Sequence, residues 1–161
     1  MSHSAPPPVQ LKVTPGDKYA IVVARWNHEI TGVLKDGAVT TLAEHGAQSR
    51  VVYVPGSYEL PQMAHRIAST GDYVSVICLG VVVKGDTRHD EYINHAVAQG
   101  ITQAGISTGV PILFGVLTVE NQQQAIDRAG GKYGNKGSEA ALAAIEMVQA
   151  MREFPLDKST L

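Results

Sequence analysis

Between Leu79 and Tyr92 the chain reads LGVVVKGDTRHDEY, an apolar run that ends in Lys84, Gly85, Asp86, Thr87, Arg88 and His89. Those six residue types at that spacing suit the capture of an anion. A glycine lets several main-chain N–H groups turn toward one point, and a threonine adds a hydroxyl. A helix starting near His89 would supply the positive end of its dipole, completing a phosphate-sized site. An imidazole beside such a site is suited to moving protons near neutral pH. The same residues also read as an ordinary strand-to-helix turn, with Asp86 or Thr87 capping the helix and His89 in solvent. On spacing alone the plainer reading is the stronger one.

Other chemistry-bearing residues say less when taken singly. Arg128, in IDRAGG, could grip a phosphate with two N–H groups, although a lone arginine near a helix end is usually a surface charge. Lys136, in GNKG, precedes a helix, but the motif is too short for a Walker loop. His89, Asp90, Glu91 and His95 do not make a metal site, because the two histidines stand on different faces of a helix. No metal or cofactor is expected. The chain has neither a Gly-x-Ser-x-Gly elbow nor a GxGxxG fingerprint, which leaves serine-hydrolase and dinucleotide readings without their motif.

Four segments must position these residues: YAIVVARW (19–26), SRVVYVP (49–55), YVSVICLGVVV (73–83) and VPILFGVLTV (110–119). Each is nearly continuous in apolarity and rich in Val and Ile, as parallel strands covered on both faces are. Between them apolar residues recur at helical spacing: Ile30, Val33, Leu34, Ala38 and Leu42; Leu60, Met63, Ala64 and Ile67; Ile93, Ala96, Val97, Ile101 and Ala104. A short helix in NQQQAIDRAGG and a long one in SEAALAAIEMVQAMREF follow, and Gly46, Gly71 and Gly109 stand where helix C-caps belong. Strand–helix alternation of this kind predicts an α/β fold, a three-layer α/β/α sandwich around a four-stranded parallel, flavodoxin-like sheet. Ligands of such sheets bind beyond the carboxyl ends of the strands. There the chain carries Trp26, Asn27 and His28, then Ser57, Tyr58 and Glu59 in PGSYELP, then KGDTRH, with Phe114, Thr118, Glu120 and Asn121 in or after the fourth strand.

Composition narrows the class of protein. At 161 residues, 44% hydrophobic and 17% charged, the chain suits one well-buried domain. A net charge of -2 and a pI near 6.3 give no sign of a nucleic-acid or anionic-membrane surface. The single Cys78 lies in an apolar run and reads as a small buried hydrophobe in a reducing compartment. No stretch approaches the ~18 apolar residues of a membrane span. Residues 1–18, with Pro6 to Pro8, read as an extended or disordered arm, and 19–161 as a single cytoplasmic domain.

Together, ARWN, VPGSYELP, LGVVVKGDTRHDEY, GVPILFGVLTVENQQQAIDRAGG and GNKGSEAALAAIEM resemble the lumazine synthase family in order and spacing, over about Tyr19 to Glu153. The resemblance implies condensation of 5-amino-6-(D-ribitylamino)uracil with 3,4-dihydroxy-2-butanone 4-phosphate. Phosphate and water leave, and 6,7-dimethyl-8-ribityllumazine is formed in the penultimate step of riboflavin biosynthesis. It implies that Trp26 stacks on the pyrimidine. Ser57, Tyr58, Glu59, Val81, Val82, Val83 and Phe114 would complete that pocket. Gly85, Asp86, Thr87, Arg128 and Lys136 would hold the butanone phosphate, and His89 would relay protons with Arg128 beside it. It further implies a ring of five subunits with Phe114, Arg128 and Lys136 crossing into the neighbour's site. Twelve such rings would close a 60-subunit shell, and riboflavin synthase would be a partner. A competing reading is a non-catalytic flavin- or lumazine-binding module on the same fold. It would keep Trp26 and Phe114 for stacking but would not need Thr87, His89 and Arg128 together.

Overall fold

A computed structural model describes residues 5–155. Four strands, β1 (Lys18–Ala24), β2 (Gln48–Val54), β3 (Ser75–Val83) and β4 (Ile112–Val119), form one parallel sheet in the order β2-β1-β3-β4. Five helices connect them or follow: α1 (His28–Glu44), α2 (Leu60–Ala68), α3 (His89–Thr108), α4 (Gln122–Arg128) and α5 (Lys136–Arg152). The strands fall within two residues of the apolar runs at both ends. Gly46, Gly71 and Gly109 adopt the left-handed conformation at helix ends (φ 77, 76 and 70), where a Cβ would be strained.

Alternation along the strands sorts the core into two halves. Tyr19, Ile21 and Val23 of β1 join Ile77, Leu79 and Val81 of β3 under α1 and α5, whose Leu34, Leu42, Ala141 and Ile145 are fully buried. On the other face Ala20, Val22, Val76, Cys78 and Val82 pack against Leu60, Ala64, Val97 and Ile101 of α2 and α3. Central strands β1 and β3 are buried on both faces, which explains their unbroken apolar runs. By contrast β2, expected to be covered as well, is an edge strand in which only Val54 is buried. The layers are those of a three-layer α/β/α sandwich. Burial pushes the Cys78 thiol up to about 12, so it packs as a hydrophobe rather than as a nucleophile. No helix among the described residues is long and apolar enough to cross a membrane.

Two features were not legible as elements. Ser57–Glu59 forms a single 3₁₀ turn before α2, and β5 (Ala129–Gly131) pairs antiparallel with β6 (Gly134–Asn135) as a small hairpin between α4 and α5. Asn135 then caps α5, its Oδ1 accepting from the N–H groups of Gly137 (2.8 Å) and Ser138 (3.2 Å) while Nδ2 donates to the Val33 carbonyl (3.0 Å). This strut docks the start of α5 on α1 so closely that a Cβ on Gly137 would run into the Leu34 carbonyl.

Described residues 5–17 carry no regular element and run along α5, where Lys12 N–H donates to Gln149 Oε1 (2.9 Å) and Gln149 Nε2 donates to Gln10 O (3.2 Å). Asp17 closes this segment. Its buried carboxylate accepts both guanidinium nitrogens of Arg152 (2.8 and 2.7 Å) and the Thr14 N–H (3.2 Å). The Arg152 hydrogen bonds hold the Asp17 carboxyl below its ordinary range. Arg152→Ala should cost about 1–2 kcal/mol, since an acceptor is left unsatisfied while solvent screening keeps the pair modest. A depressed folded-state pKa gives stability that is complete above the unfolded value and is lost as pH falls through the folded one. Denaturant midpoints of both proteins should therefore differ at neutral pH and converge in acid; a gap independent of pH would remove the ionic explanation.

Candidate active site

The sheet opens at its carboxyl end. Pairing of β1 with β3 stops at Val23↔Leu79, whereas β3 stays paired with β4 to Val83↔Val119, and Lys84 N–H still donates to Val119 O (2.8 Å). Beyond Ala24 the chain follows β2 instead: Arg25 N–H donates to Val54 O (2.9 Å) and Trp26 N–H to Pro55 O (3.1 Å). The result is a fork between β1 and β3, where the chain's path through the sheet reverses. Such a switch point is where doubly wound sheets bind ligands. Val81, Val82 and Val83 lie along the β3 side of the fork beyond the reach of β1, leaving main-chain groups for a flat ligand to meet.

Asn27 bridges the fork. It is the only non-glycine residue with positive φ among those described (φ 60, ψ 44), and its Nδ2 donates to Val81 O (3.4 Å) while its own carbonyl accepts from Ile30 and Thr31. Asparagine tolerates this left-handed conformation better than most residues. Sequence reasoning placed Asn27 on the rim without giving it a role; an Asn between a strand end and a helix start was the available signal.

Trp26 stands beside this bridge, 75% exposed. An indole so uncovered is a ready stacking surface. Together with Arg25, Asn27, His28, Tyr53, Val54 and Pro55 it lines a cleft of ≈ 590 Å³. The PGSYELP turn folds against it. Gly56 is there because a Cβ would come within 3.2 Å of Trp26 Cδ1 and 3.3 Å of Glu59 Oε2. Glu59 Oε2 accepts the Gly56 N–H (2.9 Å), which fixes the turn. Ser57 is buried on Gly80, where a Cβ would lie 2.5 Å from Ser57 Oγ, while Tyr58 points outward, 63% exposed.

The GDTRH turn rises from the β3 side. Thr87 Oγ1 accepts the His89 N–H (3.3 Å) at the first residue of α3, and residues 84–89 are all exposed. Thr87 thus does the capping that a plain turn needs, yet the turn also stands at the fork with its polar groups open. The Gly85 backbone is not left-handed, and the place of a Cβ there is empty. The glycine leaves room rather than adopting a conformation denied to other residues. Arg88 turns back to Glu91, its Nε 3.0 Å from Oε2, and so spends its charge on α3.

Phe114, Arg128 and Lys136 come together elsewhere. They line a cleft of ≈ 410 Å³ with Thr118, Tyr133 and Glu139 on the outer side of β4, sharing no lining residue with the Trp26 cleft. Phe114 pairs with Cys78 in the middle of the sheet, five positions before Val119 at the rim. At ~3.3 Å per residue that is about 16 Å below it. One chain therefore presents two separate features, a forked rim and an aromatic–cationic cleft beside β4.

The model of the family described as 6,7-dimethyl-8-ribityllumazine synthase matches residues 16–152. The chain belongs to this family. Its activity is accordingly that of a lumazine synthase, a transferase of riboflavin biosynthesis. The match spans both the rim and the β4 cleft, from Trp26 through Lys136, and all four strands of the sheet.

Proposed function

We propose that this lumazine synthase condenses its two substrates between neighbouring copies of the chain, the rim of one facing the β4 cleft of the next. The separation of the two half-sites within one chain carries this reading. The pyrimidine stacks on Trp26 against Ser57, Tyr58 and Glu59, its edge along Val81, Val82 and Val83. Phe114 of the neighbour closes the pocket. The butanone phosphate sits at Gly85, Asp86 and Thr87, opposed by Arg128 and Lys136 from across the boundary.

The aryl amine attacks the butanone carbonyl and loss of water gives an imine. Phosphate is then eliminated with its electron pair. The enol left behind tautomerises, and the ribityl-bearing nitrogen closes the ring with loss of a second water. His89 relays protons during these steps. Holding two flat reactants in register supplies much of the acceleration, since positioning alone is worth several kcal/mol. A ring of five satisfies every rim with one cleft, and twelve rings would close a 60-subunit shell, in the cytoplasm and with riboflavin synthase as a partner. Native mass spectrometry measures the assembly directly.

Co-assembly tests the shared site. His89→Ala disables a rim and Arg128→Ala a cleft, so each variant alone should be weak. In particles mixed from equal amounts, about a quarter of the boundaries join an intact rim to an intact cleft if neighbours associate at random. Activity should rise to that fraction of the unmodified enzyme when lumazine absorbance and released phosphate are followed together. Mixed particles no better than the average of the two variants would place both residues in one chain's site.

A further inference from the structure

We propose that Tyr133 is a positioning residue that holds the Arg128 guanidinium in readiness for the phosphate of the butanone substrate. The proposal rests on Arg128 being that phosphate's partner. The hairpin β5–β6 exposes a two-residue turn, Lys132–Tyr133, between Gly131 and the left-handed Gly134 (φ 79). Tyr133 N–H donates to Asp127 O (2.7 Å), which ties this turn to the last residues of α4. The phenol ring is thereby set against Arg128, whose Cζ lies 5.0 Å from the ring centroid, and Lys132 Nζ approaches the same ring at 5.1 Å. A ring face attracts cations through its quadrupole, so one aromatic gathers two positive charges beside the cleft.

The guanidinium is held twice, by the ring and by its Nη1 donating to Gln124 O (3.1 Å) in its own helix. Among the described residues no other hydrogen bond involves it. A guanidinium has five N–H donors in a planar fork, so with one of them on Gln124 O most remain for an oxyanion. Without the ring the side chain would sample more rotamers, and the cost would fall first on phosphate capture.

Steady-state kinetics of the assembled enzyme decide the matter. Tyr133→Ala should raise KM for the butanone phosphate about threefold, as expected for an exposed cation–π contact. Any fall in kcat should be no larger than that factor, and KM for the pyrimidine should be unchanged. Tyr133→Phe should behave as the parent, and Tyr133→Leu, which keeps bulk but not the quadrupole, should behave as Tyr133→Ala. In an Arg128→Ala background the effect should vanish. A parent-like Tyr133→Leu, an equal rise in both KM values, or an undiminished effect beside Arg128→Ala would overturn the proposal. If Arg128→Ala itself leaves KM for the butanone phosphate unaltered, the phosphate role of Arg128 fails and Tyr133 falls with it. A large Arg128→Ala effect beside a silent Tyr133→Ala overturns the role of Tyr133 alone.

Discussion

Replacing Arg128 by alanine is expected to lower kcat/KM for the butanone phosphate about 300-fold, close to what losing a preorganised donor to a developing anion costs. Other positive charges at the β4 cleft are poor substitutes. Lys136 shares its ammonium with Glu139 (Nζ–Oε2 3.6 Å) and sits on a flexible stem. Lys132 approaches the Tyr133 ring at the exposed hairpin turn. Arg128 is half-buried at the end of α4, fixed by Gln124 and Tyr133, and alone offers a planar fork for two phosphate oxygens. Its loss would leave a phosphate facing an aromatic wall with no bidentate partner. Phosphate must also depart with the electrons of its bond, so the guanidinium helps in the transition state and not only in binding; kcat should fall along with the rise in KM. Arg128→Lys should recover part of the loss by restoring charge without the fork. The substitution should leave the fold intact, because among the described residues the side chain makes only one hydrogen bond, to its own helix. Kinetics at varied concentrations of each substrate check this, and a change below threefold in a correctly assembled variant would remove Arg128 from the site.

Much of this arrangement was legible beforehand, for identifiable physical reasons. Strands buried on both faces leave continuous runs such as VSVICLGVVV, so β1 to β4 and the α/β layering could be read from apolarity alone. The rim residues followed from the rule that ligands sit beyond strand ends. Less was legible where geometry depends on single contacts. The hairpin β5–β6 is built from AGG and GN, which carry no apolar period, so it read as the tail of a helix. Asn27 could be placed on the rim, where an Asn between a strand end and a helix start was a signal, but not across the fork, because the divergence of β1 from β3 appears only in the pairing. Spacing also could not tell that Phe114 stands far below the rim. That follows only from the register Cys78↔Phe114, which no periodicity specifies. The resemblance of motifs implies only that Phe114, Arg128 and Lys136 serve a neighbour's site.

His89→Ala should slow turnover about 30-fold without abolishing it. The imidazole belongs to the first residue of α3, exposed at the mouth of the fork, and its main-chain N–H is taken by Thr87 Oγ1. A histidine acting as an essential base is usually oriented by a carboxylate or carbonyl on its second nitrogen. Here, among the described residues, no hydrogen bond to the His89 ring is present, and the nearest acid in sequence past Asp90, Glu91, is paired with Arg88. An unanchored imidazole suits a relay that hands protons among amine, enol and water in turn, a task that water in an open rim performs more slowly. The effect therefore falls somewhat below the ~10²–10⁴-fold typical of an oriented general acid or base. KM for either substrate should move little, since the Trp26 cleft and the β4 cleft are lined without it. Lumazine and phosphate should still appear together, because elimination and ring closure draw on the same relay. A folded, assembled His89→Ala enzyme with no measurable turnover would make the imidazole an indispensable base. A variant that releases phosphate but forms no lumazine would confine it to ring closure, and either result would end the relay account.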